Sequence, residues 1–298
     1  MSKLTIFTPT YNRAYCLRTL YNSLKVQTDK DFVWLVIDDG STDDTKELIS
    51  EFQAEDVLEL QYVYQENSGK HVAHNKAVKL CQTELFVCVD SDDFLTDNAV
   101  EVIQKHADEV EKENVLGFFL RRITPKGESI ATPYPEGVTR VGITDLYRNY
   151  DFHGDTVIVF WTKIIKSYTF PVFPNEKFMN ESVFYGMLND VAPMALFEEG
   201  IYVCEYLPDG YTSNFERVLV KNPCGSALFY LQEAIYGSDL LQKVKGFSQY
   251  KALVYLFGLD EKTFGSISRP NAIIRMGATL LLPHYLKLFK ILREKYGC

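Results

Sequence analysis

Residues 84–94 read ELFVCVDSDDF: an apolar run, then aspartates at positions 90, 92 and 93. The run predicts a buried strand, and the acids stand where that strand ends. On an extended backbone residues i and i+2 point the same way, which sets Asp90 beside Asp92. Two carboxylates held together repel each other unless one takes a proton or a cation lies between them. Hard oxygen ligands suit Mg²⁺ or Mn²⁺, ions that often take one or two protein carboxylates and complete their shell with phosphate oxygens. The plainer alternative is a solvated acidic turn in which Asp93 or Asp97 caps the next helix.

Working outward, the first 120 residues alternate between strand and helix patterns. LTIFTPT, FVWLVID and LQYVYQ are strand-like. Between them, 14–26 places leucines at 17, 20 and 24, the spacing of a helix face, and GSTDDTKELISEF supplies a second helix. SGKHVAHNKAVKL and 97–110 supply two more. Such alternation implies right-handed crossovers and a mainly parallel sheet with helices on both faces. In sheets of this kind ligands bind beyond the carboxyl ends of the strands. The segments there are TPTYNR, DDGSTDD, QENSGKH and DSDD, so one polar edge is predicted to carry the site. Tyr11 is suited to stacking on a nucleobase and Asp39 to accepting a hydrogen bond from a base N–H. Arg13 adds a cation at the end of the first strand. Gly69 permits close backbone approach, and Lys70 offers a point charge for phosphate. The ordinary reading of the last segment is a helix start capped by Ser68.

After residue 120 the regularity fades. GFFLRRITPKGESIATPYPEGV reads as hairpin or irregular chain and DTVIVFWTKII as a further strand; helices resume near 181–189 and dominate after Gly225. The expected organisation is a regular α/β half over 1–120, an irregular second half of the same domain over 121–215, and a helical region over 216–298.

Composition narrows the classes. The 298 residues are 46% hydrophobic and 24% charged, as in an ordinary globular protein. A net charge of −9 argues against a nucleic-acid binder, which would show a basic face. Cysteines at 16, 81, 88, 204, 224 and 298 form no C-x-x-C pair, which predicts reduced thiols and a cytoplasmic setting. The opening MSKLTIFTPTYNR has no signal-peptide pattern, and no run approaches the roughly 20 apolar residues of a membrane span. HVAH at 71–74 lacks the glutamate of a hydrolytic zinc motif.

Together TPTYNR, VIDDGSTDDT, ENSGKHVAHNKAV and VDSDD resemble the nucleotide-sugar-binding half of glycosyltransferase family 2, the inverting enzymes with a GT-A fold. The resemblance covers residues 3 to about 115 closely and thins beyond 120. It implies an α/β GT-A domain with a helical C-terminal extension, a nucleoside-diphosphate-sugar donor, commonly UDP-linked, and Mn²⁺ or Mg²⁺. It also implies that Pro9 and Tyr11 line the base pocket, that Asp39 binds the base ring, and that Asp90 meets the ribose side. Arg13, Lys70 and Ser91 would complete the donor contacts, and Asp92 together with Asp90 would hold the metal. The family's catalytic base is usually part of a Glu-Asp-like pair opening a helix; the matching stretch is NEKFMNESVFYGML, where Glu181 is present and Ser182 takes the partner position. Asp155, just before an apolar strand, is the alternative base. A nucleotidyltransferase and a non-catalytic sugar-nucleotide-binding protein are the competing classes, although TPTYNR lacks the glycine-rich phosphate loop of the former.

The C-terminal segment stands apart. From Lys262 to Cys298 there are seven Lys or Arg and one acid, a charge of +6 that leaves −15 for the remainder. Apolar and basic residues interleave through 271–297, and Pro283 predicts two short amphipathic helices there rather than one rod. A packing helix with a solvated basic face is one reading. Peripheral contact with anionic lipid is the other, and suits a glycan or lipid-linked acceptor at the inner face of a membrane.

Overall fold

The computed structural model describes residues 2–204, 215–264 and 270–298. By contacts the chain divides into two compact units, Met1–Phe170 with Met187–Tyr206, and Pro171–Gly186 with Leu207–Cys298.

The first unit is built on a nine-stranded sheet. Strands β1 (Leu4–Thr10), β2 (Phe32–Asp38), β3 (Leu60–Tyr64) and β4 (Leu85–Cys88) pair in parallel in the spatial order β3-β2-β1-β4. Helices α1 (Ala14–Lys25), α2 (Thr45–Glu55) and α3 (Lys70–Leu80) connect them, and α4 (Ala99–Val110) follows the fourth strand and the short β5 (Phe94–Leu95). The remaining strands mix directions. β8 (Thr156–Trp161) runs antiparallel to both β4 and β6 (Gly117–Ile123), while β9 (Met194–Val203) is parallel to β6 and antiparallel to β5 and β7 (Arg140–Val141). The sheet is thus parallel where the alternating pattern predicted it and mixed beyond.

The two-residue period of the strands explains the layers. Leu4 and Ile6 join Leu17, Leu20 and Leu24 of α1 in the main core. There Tyr21 stacks on Phe52 at 3.8 Å, and the Trp34 indole donates to Thr8 Oγ1 at 3.0 Å. Phe7 stacks on Phe86, and His74 of α3 meets both rings edge-on. Short helices α5 (Asp145–Asn149) and α6 (Thr162–Ile165) complete this unit's connections.

The second unit is helical. It takes most of α7 (Glu181–Leu188), then α8 (Phe215–Lys221), α9 (Pro223–Tyr236), α10 (Leu240–Phe257), a single 3-10 turn at Glu261–Phe264, and α11 (Ala272–Tyr296). The buried Glu176 carboxylate ties the start of α9, accepting from Cys224 N at 2.6 Å and Gly225 N at 2.8 Å. Contrary to the two-piece expectation, α11 is one 25-residue helix with Pro283 inside it. An interior proline costs about 3 kcal/mol. Buried anchors on both sides of it, Ile274 and Ala278 before and Phe289 and Leu292 after, keep both halves on one packed line. Asn271 caps the start by accepting from Ile274 N, and Gly297 in the left-handed region ends the helix. Among the described residues no helix is long and apolar enough to cross a membrane.

Candidate active site

Four neighbouring parallel strands deliver their carboxyl ends to one edge, and the loops there are hydrogen-bonded to one another. Asn12, at φ 54°, turns the chain after β1. Its N–H donates to Ser41 Oγ at 2.9 Å, and its side-chain oxygen accepts from Thr42 N at 2.7 Å. Those bonds join the first loop to the second. Pro9 is half-buried beside this turn, and Tyr11 stands out from it at 47% exposure, its ring open to a stacking partner. Arg13 is half-buried and hydrogen-bonds the Tyr15 hydroxyl.

Asp39 joins the second loop to the third. One carboxylate oxygen accepts from Gln65 Nε2 at 2.7 Å and Ser68 N at 2.8 Å; the other accepts from Gly69 N at 2.7 Å. A carboxylate has about four acceptor sites, so three are used by the protein and one is left for a ligand N–H. Gly69, rather than Ser68, precedes α3, at φ +100°, a conformation that side-chain-bearing residues rarely adopt. That backbone turns the Gly69 N–H onto Asp39. Asp38 is buried alongside, accepting from Ser41 N and the Tyr62 hydroxyl.

Lys70, the first residue of α3, joins the third loop to the fourth through a 2.6 Å ion pair with Asp90 Oδ1. The segment after β4 is not the extended one expected. The strand ends at Cys88, and Asp93 N donates to Asp90 O at 3.2 Å, closing a turn. The turn changes which acids converge. Tyr202, fully buried on β9, accepts from Asp90 N at 3.0 Å and donates to Asp93 Oδ2 at 2.7 Å. Ser91 is buried within the turn. Asp92 is half-exposed and has no hydrogen bond or ion pair among the described residues. Neither Asp93 nor Asp97 caps α4, whose flanking residue is Asn98.

The electrostatics follow from this packing. Burial pushes the Asp90 carboxyl up, but Lys70, Arg122 and the Tyr202 bond outweigh it and hold Asp90 below the usual carboxylate range. Asp93 is pushed up to about 7, chiefly by burial and further by Asp90 and Asp92, against the lowering pull of Tyr202 and Arg122. The Arg122 guanidinium lies 4.2 Å over the Tyr202 ring and donates to Thr156 O at 3.2 Å. Burial alone would loosen its proton, yet facing Tyr202, Asp90, Asp155 and Asp93 holds it charged. Asp155, exposed just before β8, therefore belongs to the charge cluster at the Asp90–Asp93 turn. Sequence reading missed Tyr202 and Arg122 altogether. It had singled out Asp93 only as a possible cap.

Glu181 belongs to the second unit. It is the exposed first residue of α7, and the Tyr185 hydroxyl donates to it at 3.4 Å. Asn180 accepts from both the N–H and the hydroxyl of Ser182, which starts that helix.

No cluster of three or more His, Cys, Asp or Glu side chains among the described residues is arranged to hold a metal. A divalent cation fits here only in the sparse manner of Mg²⁺ or Mn²⁺, on the unpartnered Asp92 with ligand oxygens filling the shell. None of the six cysteines forms a disulfide.

The family model for Glycosyl transferase family 2 matches residues 5–168, which span all four loops of this edge. The chain belongs to glycosyltransferase family 2. The glycosyltransferase GlyA of Streptococcus pneumoniae is 29% identical over 174 residues, 56% of this chain and 25% of that protein. The chain therefore spans about a quarter of the length of this relative. Among solved structures, Staphylococcus aureus TarS 1–349 in complex with UDP-GlcNAc superposes with a TM-score of 0.62 at 16% identity, covering 98% of this chain and 92% of that one. The mannosyltransferase PcManGT of Pyrobaculum calidifontis, in complex with GDP-Man and Mn²⁺, gives a TM-score of 0.53 at 16% identity over 97% of this chain and 84% of that one. At these identities the structural likeness shows the fold. It is the GT-A α/β architecture, here with a helical C-terminal region.

Proposed function

We propose that this family 2 chain is an inverting, metal-dependent glycosyltransferase that moves a sugar from a nucleoside-diphosphate sugar, read as UDP-linked, to a hydroxyl of a glycan or lipid-linked glycan. The observation that carries the reading is the chain of bonds from Asn12 through Asp39 to Lys70 and Asp90, which makes four strand-end loops one preorganised edge.

On this reading the base lies against Tyr11 and Pro9, and its N–H takes the remaining acceptor site of Asp39. Asp90 and Ser91 meet the ribose side, while Arg13 and Lys70 draw the diphosphate. A divalent cation on Asp92 would supply charge stabilisation to the departing diphosphate. The acceptor oxygen forms its bond to the anomeric carbon as the bond from that carbon to the diphosphate oxygen breaks. The acceptor's proton passes to a carboxylate, and inversion follows from attack on the opposite face. Glu181 is the base in this reading. Asp155 is the second candidate, favoured by its place in the charge cluster around Arg122. Peripheral contact with a membrane through 271–297 belongs to the same reading, since it would bring a lipid-linked acceptor to the enzyme.

Incubation with a panel of UDP- and GDP-sugars, Mn²⁺ and simple glycan acceptors tests the proposal. Free nucleoside diphosphate with a β-from-α or α-from-β product is expected, together with loss of donor binding on chelation and in Asp92→Asn. Pyrophosphate release would make the protein a nucleotidyltransferase. Donor binding that is equal with and without chelator would remove the metal.

A further inference from the structure

Helix α11 is apolar on two opposite faces. One face carries the buried anchors Ile274, Ala278, Phe289 and Leu292. On the other, Ile273, Met276, Leu280 and Ile291 are 66%, 73%, 82% and 51% exposed. At 3.6 residues per turn these four fall within an arc of about 60°. An amphipathic surface helix should be polar there. Lys287 falls within the same arc and Lys290 flanks it, whereas Arg275 lies about 140° round the helix, on the side of the cavity, and the stripe also carries Glu294. Arg275, Lys287 and Lys290 have no hydrogen bond or ion pair from their side chains among the described residues. Arg293 and Lys295, by contrast, are engaged by Leu256 O, Cys298 O and Glu216. Met276 also lines a cavity of about 860 Å³. Its walls include Phe247, Tyr250, Phe264 and Leu282, the Lys251–Glu261 ion pair, and Lys262 and Arg275, cations with no side-chain partner among the described residues. That size falls within the usual range for small-molecule sites.

We infer that this face of α11 and the cavity beside it bind anionic phospholipid. The exposed aliphatic side chains enter the boundary between headgroups and acyl chains, as interfacial helices do. Lys287 and Lys290 meet the headgroup phosphates. The cavity takes the chain of one lipid, its phosphate at Arg275 and Lys262. A second copy of this chain is a poorer occupant, because a two-fold contact on the same patch would set these cations against themselves. The inference rests on the lipid-linked-acceptor reading for its purpose and on the second unit alone for its geometry. Each basic residue near an anionic surface adds about fivefold to partitioning, or about thirtyfold for two.

The test is flotation of the full chain with phosphatidylcholine vesicles, with and without phosphatidylglycerol, at low and high salt. Wild type should float only with phosphatidylglycerol, and only at low salt. Leu280→Glu and the pair Lys287→Glu, Lys290→Glu should each remain behind; all three sites are exposed, so folding is preserved. Donor-dependent nucleoside-diphosphate release without vesicles should be equal in every variant, which separates failure of this inference from failure of the transferase reading. Native mass spectrometry with phosphatidylglycerol should find one retained lipid in wild type and none in Lys262→Glu, Arg275→Glu. Wild type that stays soluble with phosphatidylglycerol at low salt, or floats unchanged in both variants, overturns the inference. So does a dimer in light scattering that Leu280→Glu splits. A wild type that retains no lipid overturns the cavity assignment.

Discussion

Tyr202→Phe removes one oxygen atom from the support of the acidic turn. That oxygen accepts from Asp90 N at 3.0 Å and donates to Asp93 Oδ2 at 2.7 Å, on a ring with no exposed surface. The phenylalanine ring fills the same space, so no cavity term enters. What remains is a buried N–H without an acceptor and a buried carboxyl without its donor. Leaving a buried polar group unsatisfied costs about 1–3 kcal/mol, so the two together predict a loss of about 2–6 kcal/mol. Asp93 loses a lowering influence on its pKa, which moves up from about 7. Both tryptophans of the chain, Trp34 and Trp161, lie in the sheet-bearing unit, so their fluorescence in a urea titration reports that unit's unfolding. A lower midpoint with unchanged slope is expected, with weakened UDP binding in the presence of Mn²⁺ as the turn slackens. Tyr11→Phe is the control for stability, since its hydroxyl has no partner among the described residues. A Tyr202→Phe protein within 0.5 kcal/mol of wild type, on the ordinary scale of neutral surface changes, and with unchanged nucleotide affinity would refute the bracing role.

Asp39→Asn puts an amide NH₂ against a backbone donor at Gly69 or Ser68; calorimetry should show at least tenfold weaker nucleotide binding, and unaltered affinity would exclude the residue from the donor site. Glu181→Gln should lower kcat by about 10²-fold with donor affinity intact, as loss of a general base does; normal turnover there with an inactive Asp155→Asn would reverse the two roles. His71 is buried, and that burial lowers its pKa below 6.5 against the opposing pull of Asp39. The unfolded chain therefore takes up a proton near 6.5 that the folded chain refuses, and stability contributed by neutral His71 is lost as pH falls below that value. Its ring resonances should show the neutral form at pH 6.5, and a mid-point at or above 6.5 would contradict the burial argument.

The parallel part of the sheet was legible because each of its signals is local. Runs such as FVWLVID announce strands covered on both faces, and the polar turns between them mark where each strand ends. β9 was not legible. Its sequence MALFEEGIYV is interrupted by Glu198 and Glu199, which break the apolar run. In the fold the pairing of β6 with β9 is irregular there, Glu198 pairs with the buried Arg121, and Glu199 reaches His106. With β9 unseen, Tyr202 was unseen too, since its partners at 90 and 93 lie more than 100 positions earlier. The extended reading of Asp90–Asp92 failed for a related reason: nothing local distinguishes a strand's last residues from a turn clasped by a distant tyrosine. Pro283 was read by its intrinsic penalty, whereas anchors on both sides of it decide the helix.

The bonds from Asp39 to Ser68 and Gly69 bear on how donor preference can be altered. The residue proposed to recognise the base also shapes the backbone from which Lys70 emerges. Segments 38–41 and 65–70 therefore behave as one exchangeable cassette. A graft that imports a new base-reading loop without its matching glycine turn would release Lys70 from Asp90 as well, and would look like a catalytic defect when the fault lies in specificity.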